Sequence, residues 1–481
     1  MNRFAKIVAT LGPSSSDEAV LVEMVKAGMD VCRLNFSHGS HEDHAKKIAL
    51  IRKISKDLGK PVPILMDLQG PKLRIGDLPG GVISLRSGQE VALSSSSDPQ
   101  NLPEGVVFIP FDVPKLHEAL IPGNHILLDD GQLEFEVLRL DGENIFARVI
   151  LGGKLKSHKG VNLPGSNLDI PVLTPKDLED LKFGLEAGVD LVAISFVKRT
   201  SDIEMVRETM RNFVGNQLVL PPIVAKLERP EAIANLEEII KVTDGVMVAR
   251  GDLGVEMSPA VVPSVQKEII KMANNYGKFV ITATQMLESM INNPRPTRAE
   301  AADVANAVFD GTDAVMLSAE SAAGKYPVQS IRMMASIIQE SESHAAEWGY
   351  HNILHHDISN DDATIISHAA RNMAQDKDVA AIVVFTLSGK SALLISKTKP
   401  NVPIFAFTPD AHTYQWLGIC WGIRPCLVPH ADTLETMVTH VETALSAAFT
   451  LKQGDQVVIV SGFPVGAFSS PNLAMLYTLK G

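Results

Sequence analysis

Ile223-Val224-Ala225-Lys226-Leu227-Glu228, followed by Gly245-Val246-Met247-Val248-Ala249-Arg250-Gly251-Asp252-Leu253-Gly254-Val255-Glu256, decides the fold of this chain. Each segment opens as an apolar, β-branched run, the signature of a strand buried on both faces, and each ends abruptly in charge. Lys226 and Glu228 lie two apart and so share one face of a strand. Arg250 and Asp252 stand beside glycines. A cation and two carboxylates at the carboxyl ends of neighbouring parallel strands suit a metal-assisted reaction on a phosphorylated anion. A solvated salt bridge would explain either pair alone, but not both together with the strand ends that flank them.

Working outward, strand and helix signals alternate from the amino terminus, which predicts a parallel α/β fold. Strands are expected over 6–11, 31–36 and 63–68, with helices over 17–27 and 42–58. Further strands are expected over 191–196, 223–228, 245–252, 279–285 and 314–320. Three plus five makes eight, the number that closes a (β/α)8 TIM barrel. Between Gly70-Pro71 and Pro171 the texture changes to short alternating runs and turn pairs such as Gly80-Gly81 and Asp130-Gly131. That reads as a small β-barrel lid domain inserted after the third strand. From about Trp348 a second alternation, with strands over 380–386, 402–408, 423–428 and 456–461, predicts an open α/β domain. The expected division is 1–70 and 172–345 for the barrel, 71–171 for the insert and 346–481 for the last domain.

Bulk composition bounds the function. The chain has 481 residues, too many for one core, and 44 basic against 56 acidic residues give a net charge of −12. Such a surface disfavours nucleic acid and anionic membranes as partners, so an anionic substrate needs a local cluster of Arg and Lys. Cys32, Cys420 and Cys426 are too few and too scattered for a disulfide framework, which fits a reducing cytoplasm. The amino terminus shows no signal-peptide core, and no apolar run approaches the ~20 residues that span a bilayer.

The carboxyl ends of the eight strands collect a polar set: Arg33, Asn35, Ser37 and His38; Asp67, Gln69, Lys72 and Arg74; Ser195; Lys226 and Glu228; Arg250 and Asp252; Thr282, Thr284 and Gln285; Ser318 and Glu320. Barrel interiors are otherwise filled by Val, Ile and Leu, so polar residues gathered at one end imply a site. Its cations suit phosphate and carboxylate groups, and its hard oxygen donors suit Mg2+ or Mn2+. His41 and His44 could suggest zinc together with His38, but they read better as solvated helix residues.

These residues fall within motifs that resemble the pyruvate kinase family. They are Thr10-Leu11-Gly12-Pro13-Ser14, Arg33-Leu34-Asn35-Phe36-Ser37-His38-Gly39, Asp67-Leu68-Gln69-Gly70-Pro71-Lys72-Leu73-Arg74 and Lys159-Gly160-Val161-Asn162-Leu163-Pro164-Gly165. Lys226-Leu227-Glu228, Val248-Ala249-Arg250-Gly251-Asp252-Leu253-Gly254, Thr282-Ala283-Thr284-Gln285-Met286-Leu287-Glu288-Ser289-Met290, Pro296-Thr297-Arg298-Ala299-Glu300 and Asp313-Ala314-Val315-Met316-Leu317-Ser318-Ala319-Glu320 complete the pattern. The resemblance runs along essentially the whole chain, and the last three motifs are highly specific.

It implies phosphoryl transfer from phosphoenolpyruvate to ADP, giving pyruvate and ATP in glycolysis. Glu228 and Asp252 would hold the divalent ion, and Lys226 would stabilise charge on the phosphoryl group and the enolate. Arg33 would pair with phosphate, with Ser195 beside it. The backbone N–H groups of Gly251 and Asp252 would bind the carboxylate. Thr284, with Ser318 and Glu320, would deliver the proton. Asn35, His38, Arg74 and Lys159 would contact the nucleotide. Asn35, Ser37, Asp67 and the Leu68 carbonyl resemble the family's K+ ligands, but Lys72 stands where K+-dependent members carry Glu, so activity without K+ is expected.

In the last domain, Thr386-Leu387-Ser388-Gly389-Lys390-Ser391 is a hydroxyl-rich loop opening a helix, an anion cradle by its chemistry. The family uses this loop for an effector, so a sugar phosphate or nucleotide monophosphate is expected there, with 462–470 closing over it. The resemblance also implies a homotetramer. A barrel lyase or aldolase working on pyruvate enolate with Mg2+ needs the same carboxylates but has no use for Lys159. A non-catalytic sugar-phosphate sensor would be expected to have lost Lys226 or a metal ligand.

Overall fold

The computed structural model describes residues 3–95, 102–111, 116–166, 170–215, 219–349, 361–377, 379–448, 451–465 and 469–480. Eight parallel strands, Lys6–Thr10, Val31–Asn35, Ile64–Asp67, Leu191–Ile194, Ile223–Leu227, Gly245–Ala249, Phe279–Ala283 and Ala314–Leu317, close into a barrel in chain order. Lys6 faces Ala314 across the seam, and Leu65 faces Leu191 across the point where the insert leaves. Nearly every strand residue is buried, as the unbroken apolar runs predicted. Gly245 shows how tightly the strands pack, because a Cβ there would lie 2.4 Å from the Phe279 ring.

Four barrel strands stop two or three residues short of expectation, 191–196 at Ile194 and 279–285 at Ala283 among them. The runs over 245–252 and 314–320 leave the sheet at Ala249 and Leu317, and the helices Arg250–Glu256 and Ala319–Ala322 begin at once. Charge and glycine mark these ends, since neither continues a buried ladder. Elsewhere the caps behave as their chemistry dictates. The Thr174 and Ser40 hydroxyls accept the N3 amides of Asp177 and Asp43, whose carboxylates return the bond, and Pro175 opens its helix.

The insert leaves from the carboxyl end of Ile64–Asp67. It forms a six-stranded sheet, from Val161–Asn162 through His125–Leu128, Leu133–Asp141, Asn144–Leu151 and Glu90–Ser94 to Val107–Pro110. A separate antiparallel pair joins Val82–Leu85 to Gly153–Lys156. Val91, Phe135, Val149 and Leu155 belong to its own core.

The last sheet orders its strands Ile423–Leu427, Ile404–Thr408, Ala381–Phe385, Gln456–Ser461 and Leu473–Thr478. The fifth strand is antiparallel and was not expected, because as a half-exposed edge it lacks the apolar continuity of the other four. Trp416, Ile395 and Ile404 of this region share one apolar cluster with Val8, Val31, Leu65 and Phe279 of the barrel. The α/β layer therefore closes the amino-terminal end of the barrel, opposite the insert.

Candidate active site

Lys226, near the carboxyl end of Ile223–Leu227, is the centre of the barrel mouth. Its Nζ lies 2.8 Å from Glu228 Oε1 and 3.3 Å from Asp67 Oδ1 and donates to Ser195 Oγ at 2.7 Å. Only 13% of the side chain is exposed. Burial works to lower the ammonium pKa, but Asp67 and Glu228 outweigh it and hold the pKa above its ordinary value. The lysine is charged at every working pH.

Arg33 shares Asp67 with it. Nε donates to Asp67 Oδ2 at 2.7 Å, Nη2 lies 2.7 Å from the same oxygen, and Nη1 donates to Thr10 Oγ1 at 2.9 Å. Of the five guanidinium N–H groups, donors on Nη1 and Nη2 are left for a ligand. Burial would raise the Asp67 carboxyl, yet Lys226 and Arg33 hold it below its usual range.

Glu228 is the opposite case. Burial pushes its carboxyl up to about 7, Lys226 opposing and nearby Asp252 adding to the shift. Its Oε2 accepts the Phe196 amide at 2.9 Å, from a backbone held at φ +59. Such a conformation costs about 1–3 kcal/mol and persists where surrounding structure enforces it. Thr284 and Gln285 are strained likewise, at φ +69 and +54. Two acidic groups crowded so that one resists ionisation are suited to a divalent cation. Mg2+ takes one or two carboxylates and leaves its other positions to water and substrate oxygens. Nearby, Glu256 presents a buried Oε2 with no donor. The donor set fits the ion, and Glu228 and Asp252 would hold it. Among the described residues there is no cluster of three or more His, Cys, Asp or Glu side chains poised for a metal. His41 instead pairs with Asp180 at 2.7 Å, and His44 bonds the His38 carbonyl.

Several expected residues are engaged within the protein. The Thr284 hydroxyl accepts the Gly251 amide at 2.8 Å and donates to the Ala283 carbonyl at 2.7 Å, so that amide is not open to a carboxylate ligand. Both Glu320 oxygens accept backbone amides, from Leu287 at 3.1 Å and Ser318 at 2.8 Å. Asn35 Oδ1 accepts from the Ser37 amide, and the Leu68 carbonyl accepts from Ser195 Oγ. His38 is exposed, Arg74 donates to the His158 carbonyl, and Lys159 lies 2.6 Å from Asp129 within the insert. Arg250 and Thr282 leave the polar set: Arg250 bonds Asp303 at 2.7 Å and the carbonyl of Thr284, and Thr282 bonds Thr312 in the interior.

A cleft between barrel and insert opens beside Asp252, lined by Lys72, Gly160, Asn162, Lys198, Arg229 and Glu256. Asn162 donates to Glu256 Oε1 at 2.9 Å across it. Sequence reasoning assigned no role to Thr10, Asn162, Arg229 or Glu256. Glu256 closes the opening stretch, and Thr10 and Asn162 lie within recognised motifs, but nothing in their spacing reveals a cross-strand partner.

In the last domain, strand Ala381–Phe385 and helix Lys390–Lys397 frame the hydroxyl-rich loop. Gly389 takes φ +83 and would drive a Cβ to 2.1 Å from the Trp416 ring, so only glycine fits. Thr386, Ser388 and Ser391 line a cavity with Ser461, whose buried Oγ has no partner. Lys390 does not line that cavity. It faces another, on the barrel side. Of the loop over 462–470, residues 466–468 lie outside the described residues.

A closed (β/α)8 barrel with a buried lysine, two carboxylates and an arginine at its mouth is the kind of site that suits chemistry on an anionic substrate. Comparison with known proteins narrows the class. The family model described as pyruvate kinase, barrel domain, matches residues 2–331, and that described as pyruvate kinase, alpha/beta domain, matches residues 364–476. The pyruvate kinase of Agrobacterium vitis is 43% identical over 471 residues, 98% of this chain and 97% of that protein. That of Geobacillus stearothermophilus is 43% identical over 485 residues, covering 100% of this chain and 81% of that protein. The chain belongs to the pyruvate kinase family and is an enzyme of that family. Among the described residues no helix is long and apolar enough to cross a membrane.

Proposed function

We propose that this enzyme transfers the phosphoryl group of phosphoenolpyruvate to ADP with uptake of one proton, giving pyruvate and ATP, as a cytoplasmic step of glycolysis. The observation that carries this reading is Lys226, kept charged by Asp67 and Glu228 and next to Arg33 at the barrel mouth. Such transfer rests on positioning and charge stabilisation. Glu228 and Asp252 would hold a divalent ion, which would supply neutralising positive charge at the site. Arg33 binds the phosphate through its remaining Nη donors. Lys226 exchanges its neutral partner, Ser195, for the oxygen on which negative charge develops. As the P–O bond to the enol breaks, the oxygen it leaves carries the electron pair, and Lys226 stands against that charge. A proton at the methylene carbon completes pyruvate. Thr284 is assigned to position the water that brings it, since the hydroxyl proton is itself committed to Ala283. Glu320 sets the Ser318 backbone from behind. The Asp252 amide takes the carboxylate alone, Gly251 being engaged.

ADP is assigned to the cleft under the insert, with Asn35, His38 and Arg74. Lys159 must leave Asp129 to reach it. The division into barrel, insert over 71–171 and α/β domain from 346 is part of the same proposal, as is a homotetramer. Activation by a sugar phosphate or nucleotide monophosphate is assigned to Thr386, Ser388, Gly389 and Ser391, supported by the unpartnered Ser461 hydroxyl in the same cavity. Ser391→Asp is expected to abolish that activation.

Lys72 supports a K+-independent reaction, its fixed ammonium standing for the ion. The monovalent site at Asn35, Ser37, Asp67 and Leu68 is then dispensable. In sodium-free, potassium-free buffer the enzyme is expected to run at full rate, and Lys72→Glu to create a K+ requirement. Strong K+ stimulation of the unaltered protein contradicts this. The main proposal is tested by phosphoenolpyruvate turnover with and without ADP. Pyruvate release that needs no ADP points to a lyase or phosphatase instead.

A further inference from the structure

Asp67 grips Arg33 at one point only. Nε and Nη2 both reach the same oxygen, Oδ2, at 2.7 Å, while Oδ1 faces Lys226 at 3.3 Å. Two parallel bonds to two carboxylate oxygens lock a guanidinium in place. Two bonds to one oxygen make a pivot instead. The plane therefore needs a second anchor, and Thr10 supplies it: its Oγ1 accepts from Arg33 Nη1 at 2.9 Å.

The surroundings of Thr10 leave that hydroxyl no other role. Thr10 ends the strand Lys6–Thr10 and stands opposite Arg33 on one side, while its neighbour Ala9 stands opposite Leu317 on the other. Its single proton goes to the Leu317 carbonyl at 2.9 Å, a group that can only accept. Towards Arg33 the oxygen therefore offers lone pairs alone. The Thr10 carbonyl in turn accepts from Ser321 Oγ at 2.9 Å, and Ser321 is fully buried. A Cβ on Gly12 would lie 2.5 Å from the Ala322 oxygen, so this strand end is pressed against the helix Ala319–Ala322. Thr10 itself is 5% exposed. An acceptor tied to backbone on both flanks cannot drift with the arginine.

We propose that Thr10 is a positioning residue: it fixes the plane of the Arg33 guanidinium so that the two N–H groups still free meet the phosphoryl group together. Nε and one N–H of Nη2 go to Asp67, and one N–H of Nη1 goes to Thr10. Of five N–H groups, one on each Nη remains, and two donors from one rigid plane suit two oxygens of a phosphate. The inference rests on the reading of phosphoenolpyruvate as the substrate and goes beyond it by naming a residue that acts only through Arg33. Without the hydroxyl, Arg33 stays charged and on Asp67 but turns about Oδ2, so phosphate binding weakens in the ground state and the transition state alike.

Steady-state kinetics of the full chain with phosphoenolpyruvate, ADP and Mg2+ test this. Thr10→Val, which removes the acceptor and keeps the branched shape, should raise the KM for phosphoenolpyruvate about tenfold with kcat changed by less than about threefold. The KM for ADP should stay within about twofold, and Thr10→Ser should behave as the parent. In an Arg33→Met background the same Thr10→Val change should have no further effect, since a residue acting through Arg33 has nothing left to act on. An unchanged KM in Thr10→Val overturns the proposal, as do equal losses in the Ser and Val variants or an undiminished loss beside Arg33→Met. Should Thr10→Val not fold, Thr10→Ala read against Thr10→Ser decides by the same criteria. A parent that turns over no phosphoenolpyruvate with ADP overturns the proposed reaction and this inference with it, whereas an active parent matched by Thr10→Val overturns this inference alone.

Discussion

The two ends of the barrel each bury lysine against aspartate, and they push lysine in opposite directions. At the mouth, Lys226 faces two carboxylates, Asp67 and Glu228, which raise its pKa despite burial. At the base, Lys397 and Lys399, 2% and 0% exposed, share one carboxylate, Asp313. Lys397 bonds Asp313 closely and Asn274 Oδ1 at 3.0 Å, while Lys399 Nζ stands 3.4 Å from Asp313 and 4.6 Å from the centre of the Trp421 ring. Burial, only partly offset by Asp313, drives Lys399 down to about 7. The number of carboxylates per ammonium, not depth, decides the sign. The mouth keeps a permanent cation ready for an anionic substrate. The base holds the α/β domain on the barrel, since both lysines come from that domain and Asp313 opens the last barrel strand.

Removing the shared carboxylate should break the comparison most severely. Asp313→Asn leaves the buried Lys397 ammonium without its carboxylate and is expected to cost about 3–5 kcal/mol in urea unfolding. A variant as stable as the parent would mean that the base cluster is hydrated in solution. Next in size, Lys226→Met should lower turnover on the order of 10² or more, with circular dichroism unchanged. A surviving rate would take Lys226 out of the chemistry and make the two clusters alike.

A smaller effect sharpens the contrast through pH. The folded pKa of Lys399 lies near 7 and its ordinary value is 10.5, so between them the unfolded chain carries a proton that the folded chain has released. Stability contributed at this residue is lost as pH falls through about 7 and grows as pH rises towards 10.5. Relative to Lys399→Met, the parent should gain on the order of 1 kcal/mol per pH unit across that window. Parallel stability curves would show that Lys399 stays charged. Least of all, Asn162→Ala, which cuts the bond from insert to Glu256, should cost about 1 kcal/mol of local protection in amide exchange of the insert. No change would mean the cleft is spanned by other contacts.

Much of this molecule was legible before any tertiary contact was known. Eight apolar runs, most of them ending in polar or charged residues, set the barrel, and the turn pairs between Gly70 and Pro171 marked the insert. The placing of Lys226 and Glu228 on one strand face followed from a period of two. The illegible parts share a cause. Arg250 and Lys226 look alike as cations at strand ends, yet one is consumed by Asp303 and the other sits in the mouth. Lys390 looks like part of its loop's cradle, but the helix it opens turns it to the other cavity.

The sequence by itself determined which residues are buried, which face of each strand they occupy and where each run must stop, because burial and backbone period are local properties. Tertiary structure alone decided which charge meets which. Arg33 found Asp67, Lys397 found Asp313 and Lys390 faced the barrel only once strands and helices distant in the chain were set side by side. An ion pair depends on a few ångströms between elements, a distance that no local pattern encodes.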